Sequence, residues 1–396
     1  MYNFDEIIDR RGTGTEKYEE LDLMFKTQDV LPLWVADMDF RTPDFVFEAI
    51  RKRLEHPILS YTVIPENYFP TISDWLERLH GWKVDTGDIR YMPGLVKAQA
   101  FVLNYFLKKG EDKIIIQPPV YHRFAQIPRT NGFETVSNPL RRVEDKDGYL
   151  DHYEMDFDQL ESIIDGHTKL LILCNPHNPS GRAWDRATLE RLSHICASHG
   201  ILVLSDEINA ETMFHGKKHI PFASVSEEAA RNSITMMAPS KTFNIAGISS
   251  SYIVIRNPKL RDGFFRWLDE NSFDLPNMFA IYATLACYTD RGAEWRSEML
   301  RYVEDNITFV RKWMEDNDLR IRAAIPQASP TLWVDCTKLG YSQPELMHAL
   351  LHDAKVAFND GTQFGPEGAG YLRMNIAGPR AVLGEALEKL KKSGKF

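Results

Sequence analysis

The sequence predicts an α/β fold in which a mostly parallel sheet carries helices on both faces and a smaller α+β unit follows. Three observations predict it. Between about residue 90 and residue 257, short apolar runs alternate with helical patterns. The runs are continuous in hydrophobicity rather than alternating, as strands covered on both faces require. Beyond about residue 285 the alternation stops, and helices group with only a few apolar runs.

The expected strands are Lys113–Gln117 (KIIIQ), Lys169–Cys174 (KLLILC), Ile201–Ser205 (ILVLS), Ile234–Met237 (ITMM) and Tyr252–Ile255 (YIVI). Thr42-Pro43-Asp44 supplies a cap and a first-turn proline for a helix whose apolar stripe is Phe45, Val46, Ala49, Ile50 and Leu54. A second helix is expected over Asp185–His199, with Leu189, Leu192, Ile195 and Cys196 inward and Gly200 ending it. In the tail, Ala293–Glu315 carries a long amphipathic pattern through Met299, Leu300, Val303, Ile307, Val310 and Met314. Its aromatics Trp295, Tyr302, Phe309 and Trp313 read as core or interface. A strand at Thr331–Val334, a helix near Pro344–His352, a strand at Tyr371–Ile376 and a helix from Pro379 complete the chain.

Composition narrows the function. The 396 residues are 43% hydrophobic and 26% charged, which is globular and long enough for a large core without staples. The formal net charge of −9 argues against a nucleic-acid partner. Cys174, Cys196, Cys287 and Cys336 show no CxxC spacing, the first residues MYNFDEIIDRRG lack the apolar run of a signal peptide, and no run is apolar enough to span a membrane. A cytoplasmic protein is therefore expected. The twelve histidines form no HExxH or similar spacing, so no metal site is expected. No GxGxxG follows a strand, since Gly12 and Gly14 lie too early and lack the third glycine, and this excludes an NAD-dependent dehydrogenase. The basic stretch Lys389–Lys395 reads as a solvated helix end.

Ligands of open parallel sheets collect at the carboxyl ends of the strands. Asp206 follows the Ile201–Ser205 run, where a carboxylate needs a cation or donors to offset its desolvation. Lys241 follows Ile234–Met237, where a partly desolvated amine is suited to forming an imine with a carbonyl. Asn175-Pro176-His177-Asn178-Pro179-Ser180-Gly181 follows Lys169–Cys174 and makes a rigid turn that aims amide side chains. Met92-Pro93-Gly94 precedes a helix near Leu95 whose free N–H groups suit a phosphate. Singly, each of these reads as a cap, a snorkelling lysine or a turn. Together they match the needs of pyridoxal phosphate (PLP): an amine for the aldehyde, an acid for the ring nitrogen, a phosphate cradle, a donor to the phenolic oxygen and a flat cover. Lys241, Asp206, the Gly94 helix start, Asn178 and Tyr121 supply them in turn.

The segments Leu31–Phe40 (LPLWVADMDF), Gln117–His122 (QPPVYH), Asn175–Gly181 (NPHNPSG), Ser205–Ile208 (SDEI), Ser240–Gly247 (SKTFNIAG) and Leu372–Ile376 (LRMNI) occur in this order. With them the chain resembles fold-type I PLP enzymes, the aspartate-aminotransferase superfamily, over nearly its whole length. Within that superfamily it is most similar to the cystathionine β-lyase and cysteine C–S lyase branch. The resemblance implies an N-terminal segment (1–45) packing with the small domain, a large PLP-binding domain (46–285) and a small C-terminal α+β domain (286–396). It implies that Lys241 forms the Schiff base, that Asp206 pairs with the pyridine nitrogen, that Asn178 bonds the phenolic oxygen and that Tyr121 stacks on the ring. Leu95 and Val96 would offer N–H groups to the phosphate, with the Ser240 hydroxyl. Tyr61 matches a tyrosine lent to the neighbouring subunit's phosphate, which implies a homodimer. Arg373 matches the arginine that grips a substrate carboxylate, and Ala36 a backbone position in the same pocket.

Two departures bear on function. Eight residues after Lys241 stands Ser249, where many aminotransferases carry a phosphate-binding arginine that the lyase branch also lacks. Asn209 stands where that branch usually shows histidine and many transaminases tyrosine; the resemblance implies that it lies at the cofactor, where it cannot titrate. The reading that follows is β-elimination from an S-substituted cysteine to pyruvate, ammonia and a thiol, with a small-molecule amino acid as the partner. A class I/II aminotransferase and a non-catalytic PLP-binding regulator are the alternatives.

Overall fold

The computed structural model describes residues 2–396. Its central element is a seven-stranded sheet. From one edge the order is Ile89–Met92, Ser251–Val254, Ser233–Met237, Leu202–Asp206, Thr168–Cys174, Lys113–Ile116 and Glu134–Ser137. The pairings from Ser233–Met237 to Glu134–Ser137 are all parallel. Residues on the inner strands are buried on both faces, which is why those segments read as unbroken apolar runs. The Ser251–Val254 run differs from the expected parallel strand: it lies antiparallel to both of its neighbours. Its fully buried side chains give the same sequence signature in either direction.

The flanking helices follow their apolar stripes. The Arg186–Ser198 helix is capped by the Asp185 carboxylate, which accepts from Thr188 N at 2.8 Å, and it buries Leu189, Leu192, Ile195 and Cys196. The Asp44–Leu54 helix departs from expectation at both ends. Pro43 takes the cap position, and the Thr42 hydroxyl donates instead to Asn244 O at 2.9 Å. At the far end Leu54 is 47% exposed, at the start of an apolar strip formed by Ile58, Leu59, Tyr61 and Val63. The Asp290–Asp316 helix buries Met299, Leu300, Val303, Ile307, Val310 and Met314, together with Trp295.

A second sheet of four antiparallel strands is ordered Arg322–Ala323, Thr331–Asp335, Tyr371–Asn375 and Asn359–Asp360. The expected helix near Pro344–His352 is Gln343–His348 extended by one π turn over Ala349–Asp353, and the last helix is Arg380–Ser393. The N-terminal segment is stitched to this region. Leu31–Pro32 pairs in parallel with Val356–Ala357, and Asn375 N donates to Leu33 O at 2.8 Å. The Asn375 amide donates to Val35 O at 2.5 Å and to Asp37 O at 2.7 Å, fixing the turn between them. Among the described residues no helix is long and apolar enough to cross a membrane, and no three His, Cys, Asp or Glu side chains are grouped to hold a metal.

The loop after Thr168–Cys174 and the loop before Thr331–Asp335 come closest at a glycine. Gly181 has φ +69°, and its carbonyl accepts from Gln327 N at 2.8 Å and Ala328 N at 3.0 Å. A Cβ there would lie 2.5 Å from Ala328 O and 2.5 Å from Pro326 Cβ. Gly181→Ala is therefore expected to lower stability by about 2 kcal/mol or more through combined backbone strain and overpacking. A urea denaturation midpoint equal to that of the parent chain would contradict this account of the seam.

Candidate active site

The carboxyl ends of the parallel strands open onto a cavity of about 440 Å³. Asp206 is the last residue of its strand, Lys241 lies four residues beyond the Ser233–Met237 strand, and Asn178 four beyond Thr168–Cys174. Tyr121 follows the Lys113–Ile116 strand, and Leu95 and Val96 open the helix after Ile89–Met92. Arg373 reaches the same space from the four-stranded sheet, and Ala36 from the N-terminal segment. Ser240 and Asn209 complete the wall, so ten of the eleven residues singled out in the sequence line one cavity. The eleventh, Tyr61, does not. Its side chain is 102% exposed, on the apolar strip outside the cavity.

Asp206 is buried, and its Oδ1 accepts from Ile208 N at 3.1 Å. No cation pairs with it among the described residues, and burial pushes its pKa up to about 6. The neighbouring Glu207 points away from the cavity, since successive strand side chains alternate. There it accepts from the Ser205 hydroxyl at 2.8 Å and Phe222 N at 2.9 Å, with His219 Nε2 at 2.6 Å. The Asp206-Glu207 pair thus divides into one cavity-facing acid and one internal strut.

Lys241 Nζ donates to Ala36 O at 2.7 Å, and burial lowers its pKa from the ordinary lysine value. Arg373 is held on three sides. Its Nε and Nη2 donate to Asn359 Oδ1 at 3.1 and 2.6 Å, Nη2 also donates to Trp34 O at 3.1 Å, and Nη1 donates to Asn178 Oδ1 at 3.1 Å. The guanidinium lies 4.9 Å over the Phe364 ring, and burial lowers its pKa to about 10. With Oδ1 of Asn178 engaged, its Nδ2 donor is left for a ligand. Tyr121 packs edge-on against Phe124, at a centroid distance of 5.8 Å, and burial raises its pKa.

At the other end of the cavity, Gly94 starts the Leu95–Phe106 helix with φ +113°. Gly94 N donates to Ser251 Oγ at 3.0 Å, so that amide is taken. The amides of Leu95 and Val96 belong to the first turn, where a helix supplies no acceptor. Ser240 and Ser249 face the same corner, the latter with φ +57°. Helix-start amides and hydroxyls make a neutral anion cradle. Asn359 and the Trp34 carbonyl went unassigned in the sequence. Trp34 lies within the LPLWVADMDF segment, but Asn359 meets Arg373 only through strand register, which leaves no local signal.

A model of the family "Aminotransferase class I and II" matches residues 28–390. The chain belongs to that family. Over 390 residues it is 39% identical to "Cystathionine beta-lyase PatB" of Bacillus subtilis, covering 98% of this chain and 99% of the relative. The structure of cystalysin from Treponema denticola, described as containing a pyridoxal 5'-phosphate cofactor, superposes with a TM-score of 0.93 at 31% identity. That match covers 100% of this chain and 99% of the other. A PLP-bound C–S lyase from Staphylococcus hominis superposes with a TM-score of 0.89 at 32% identity, covering 99% and 98%. The architecture, with its mostly parallel sheet and smaller antiparallel one, is the fold of these family members.

Asp206 makes the site's charge measurable. Its pKa rises on folding from 3.8 to about 6, so the penalty of folding it is absent below the lower value and complete above the higher. In protein stripped of any ligand, Asp206→Asn is expected to gain up to about 3 kcal/mol at pH 8, roughly halved at pH 5. Thermal unfolding at the two pH values checks this, and a gain independent of pH would refute it.

Proposed function

We propose that this protein is a PLP-dependent C–S lyase that performs β-elimination on S-substituted L-cysteines, cystathionine among them. The products are pyruvate, ammonia and a thiol. The observation that carries the reading is the shared cavity of an uncompensated buried acid, a desolvated lysine and a buried arginine. The cofactor fits this chain on chemical grounds. Asp206 lacks a cation that a protonated ring nitrogen supplies, the Leu95 and Val96 amides lack an acceptor that a phosphate supplies, and Asn178 keeps a free donor for a phenolic oxygen.

PLP supplies an aldehyde that captures amino groups and a protonated ring that takes up an electron pair from Cα. The chain's residues do the rest. Asp206 would hold the proton on the ring nitrogen, Tyr121 would cover the ring, and Leu95, Val96 and Ser240 would hold the phosphate, while Asn209 lines the same cavity as a group that cannot titrate. Arg373 fixes the substrate α-carboxylate, a task suited to a guanidinium already oriented by Asn359 and Trp34. Lys241, once its amine is free, accepts the proton from Cα; its lowered pKa leaves more of it neutral near pH 7. The Cα–H and Cβ–S bonds break, and the sulfur leaves as a thiol with a proton from Lys241 or Tyr121. Water then converts the three-carbon remainder to pyruvate and ammonia.

The active unit in this reading is a homodimer in which Tyr61 of the partner subunit completes the phosphate site. Tyr61 and Val63 are 102% and 84% exposed, with Ile58 and Leu59 beside them, a strip that burial against a second copy would cover. A reducing, cytoplasmic compartment suits the four buried, unpaired cysteines.

Incubation of the holoenzyme with L-cystathionine is expected to release pyruvate and thiol with no 2-oxo acid acceptor, whereas acceptor-dependent turnover without thiol would establish an aminotransferase instead. Arg373→Ala should lower kcat/KM about 100-fold or more through loss of a charge-assisted contact to the carboxylate. Near-parental kcat/KM for that variant would remove the carboxylate assignment. Tyr61→Phe should weaken PLP binding measured by equilibrium dialysis, and sedimentation of an active monomer would remove the shared-site proposal.

A further inference from the structure

The cavity described above carries one more acid, and it lies at the mouth rather than the floor. Glu16 lines the cavity beside Trp34, Val35 and Ala36. It is the first residue of a one-turn helix, Glu16–Glu19, that the cavity wall pins in place. Lys17 is 0% exposed and its Nζ donates to Asp39 Oδ2 at 2.5 Å, while its carbonyl accepts from Trp34 Nε1 at 3.0 Å. Arg10 holds Asp37 and Asp39 together, bonding Asp39 Oδ1 at 2.7 Å. The mouth is thus a built wall, and Glu16 projects from it as an exposed side chain whose backbone is held by its neighbour Lys17.

Nearly every other acid of this wall is engaged. Asp37 and Asp39 face Arg10 and Lys17, and Glu19 accepts from Gly12 N at 2.8 Å. Glu16 is left over: among the described residues its carboxylate has no hydrogen bond and no ion pair. Its field nevertheless reaches the reacting end, since it contributes to holding the Lys241 ammonium in its charged form. Of the other charged residues lining the cavity, Asp206, Lys241 and Arg373 have partners in the reaction, and Lys97 sits at the phosphate corner on the Leu95–Phe106 helix. His122 flanks Tyr121 and supplies no competing anion.

We infer that Glu16 selects substrates by their S-substituent, favouring L-cysteine thioethers whose tail carries an ammonium group over those with neutral or anionic tails. Arg373 fixes the α-carboxylate at the floor, so an extended substrate directs its tail towards the mouth. A cationic tail there meets a carboxylate that has no partner in the protein. An anionic tail meets like charge, which disfavours binding by a similar amount. Cystathionine, whose far end bears both an ammonium and a carboxylate, has a net-neutral tail and ranks with the neutral class. The inference rests on the C–S lyase reading for its substrates but not for its test of binding.

The expected preference follows from one exposed to half-exposed ion pair, about fivefold. With the holoenzyme, kcat/KM should rank S-(2-aminoethyl)-L-cysteine above S-ethyl-L-cysteine and S-carboxymethyl-L-cysteine last, and 0.5 M KCl should compress the ranking. Glu16→Gln should abolish the preference for the cationic tail, and Glu16→Lys should invert it towards the anionic one. Neither substitution removes a side-chain contact of the fold.

Calorimetric binding of L-lysine, L-norleucine and L-2-aminoadipate, which carry the same tails without a leaving group, gives a readout independent of turnover. The same order and the same response to the two variants are expected there. Tail preferences unchanged by both variants would overturn the role of Glu16. Failure of all three thioethers to yield pyruvate, with the calorimetric order and its loss in Glu16→Gln intact, would remove the lyase reading and leave the mouth's selectivity standing.

Discussion

Two buried charges of opposite sign, Asp206 and Arg373, share one cavity without pairing. Each is desolvated, and each is shifted towards its neutral form by burial. Direct contact would satisfy both and leave nothing for a ligand. The fold prevents it by placing Asp206 at the end of a central parallel strand and Arg373 on a different sheet, with Asn178 bonded to the guanidinium between them. The separation leaves the cavity with two unmet electrostatic demands, one for a cation and one for an anion. In the proposed reading a protonated pyridine ring answers the first demand and an amino-acid carboxylate the second.

The surrounding structure maintains the separation. Asn359 and the Trp34 carbonyl take up three of the donor interactions of Arg373, which orients the fork without neutralising it. On the other sheet face, Glu207 is satisfied by His219, Ser205 and Phe222, which anchors the strand end that carries Asp206. Neutral amides and carbonyls do most of this work. A full counter-ion at either place would quench the charge that the ligand must meet.

Most of the sheet and most of the site were legible in the sequence, for a common reason. Parallel strands buried on both faces appear as continuous apolar runs, and the residues just after such runs are forced to the ligand-bearing edge. Lys241, Asp206 and Asn178 were found that way. The antiparallel direction of Ser251–Val254 was not legible, because burial leaves the same signature whichever way a strand runs. Ile89–Met92 and Glu134–Ser137 went unread because each is four residues long and mixes polar residues into the run. Asn359 and Glu16 were missed for a different reason. Both act through tertiary placement, one by cross-strand register and one by a pinned turn, and neither stands beside a run that would mark it.

The double grip of Asn375 on the carbonyls of Val35 and Asp37 ties the N-terminal ribbon to the same strand that carries Arg373. Ribbon and strand therefore form one mechanical piece. Any displacement of that strand carries Trp34 and the carbonyl of Ala36 along with Arg373. The acceptors that hold the guanidinium and the lysine amine, the carbonyls of Trp34 and Ala36, therefore sit on one piece with the arginine.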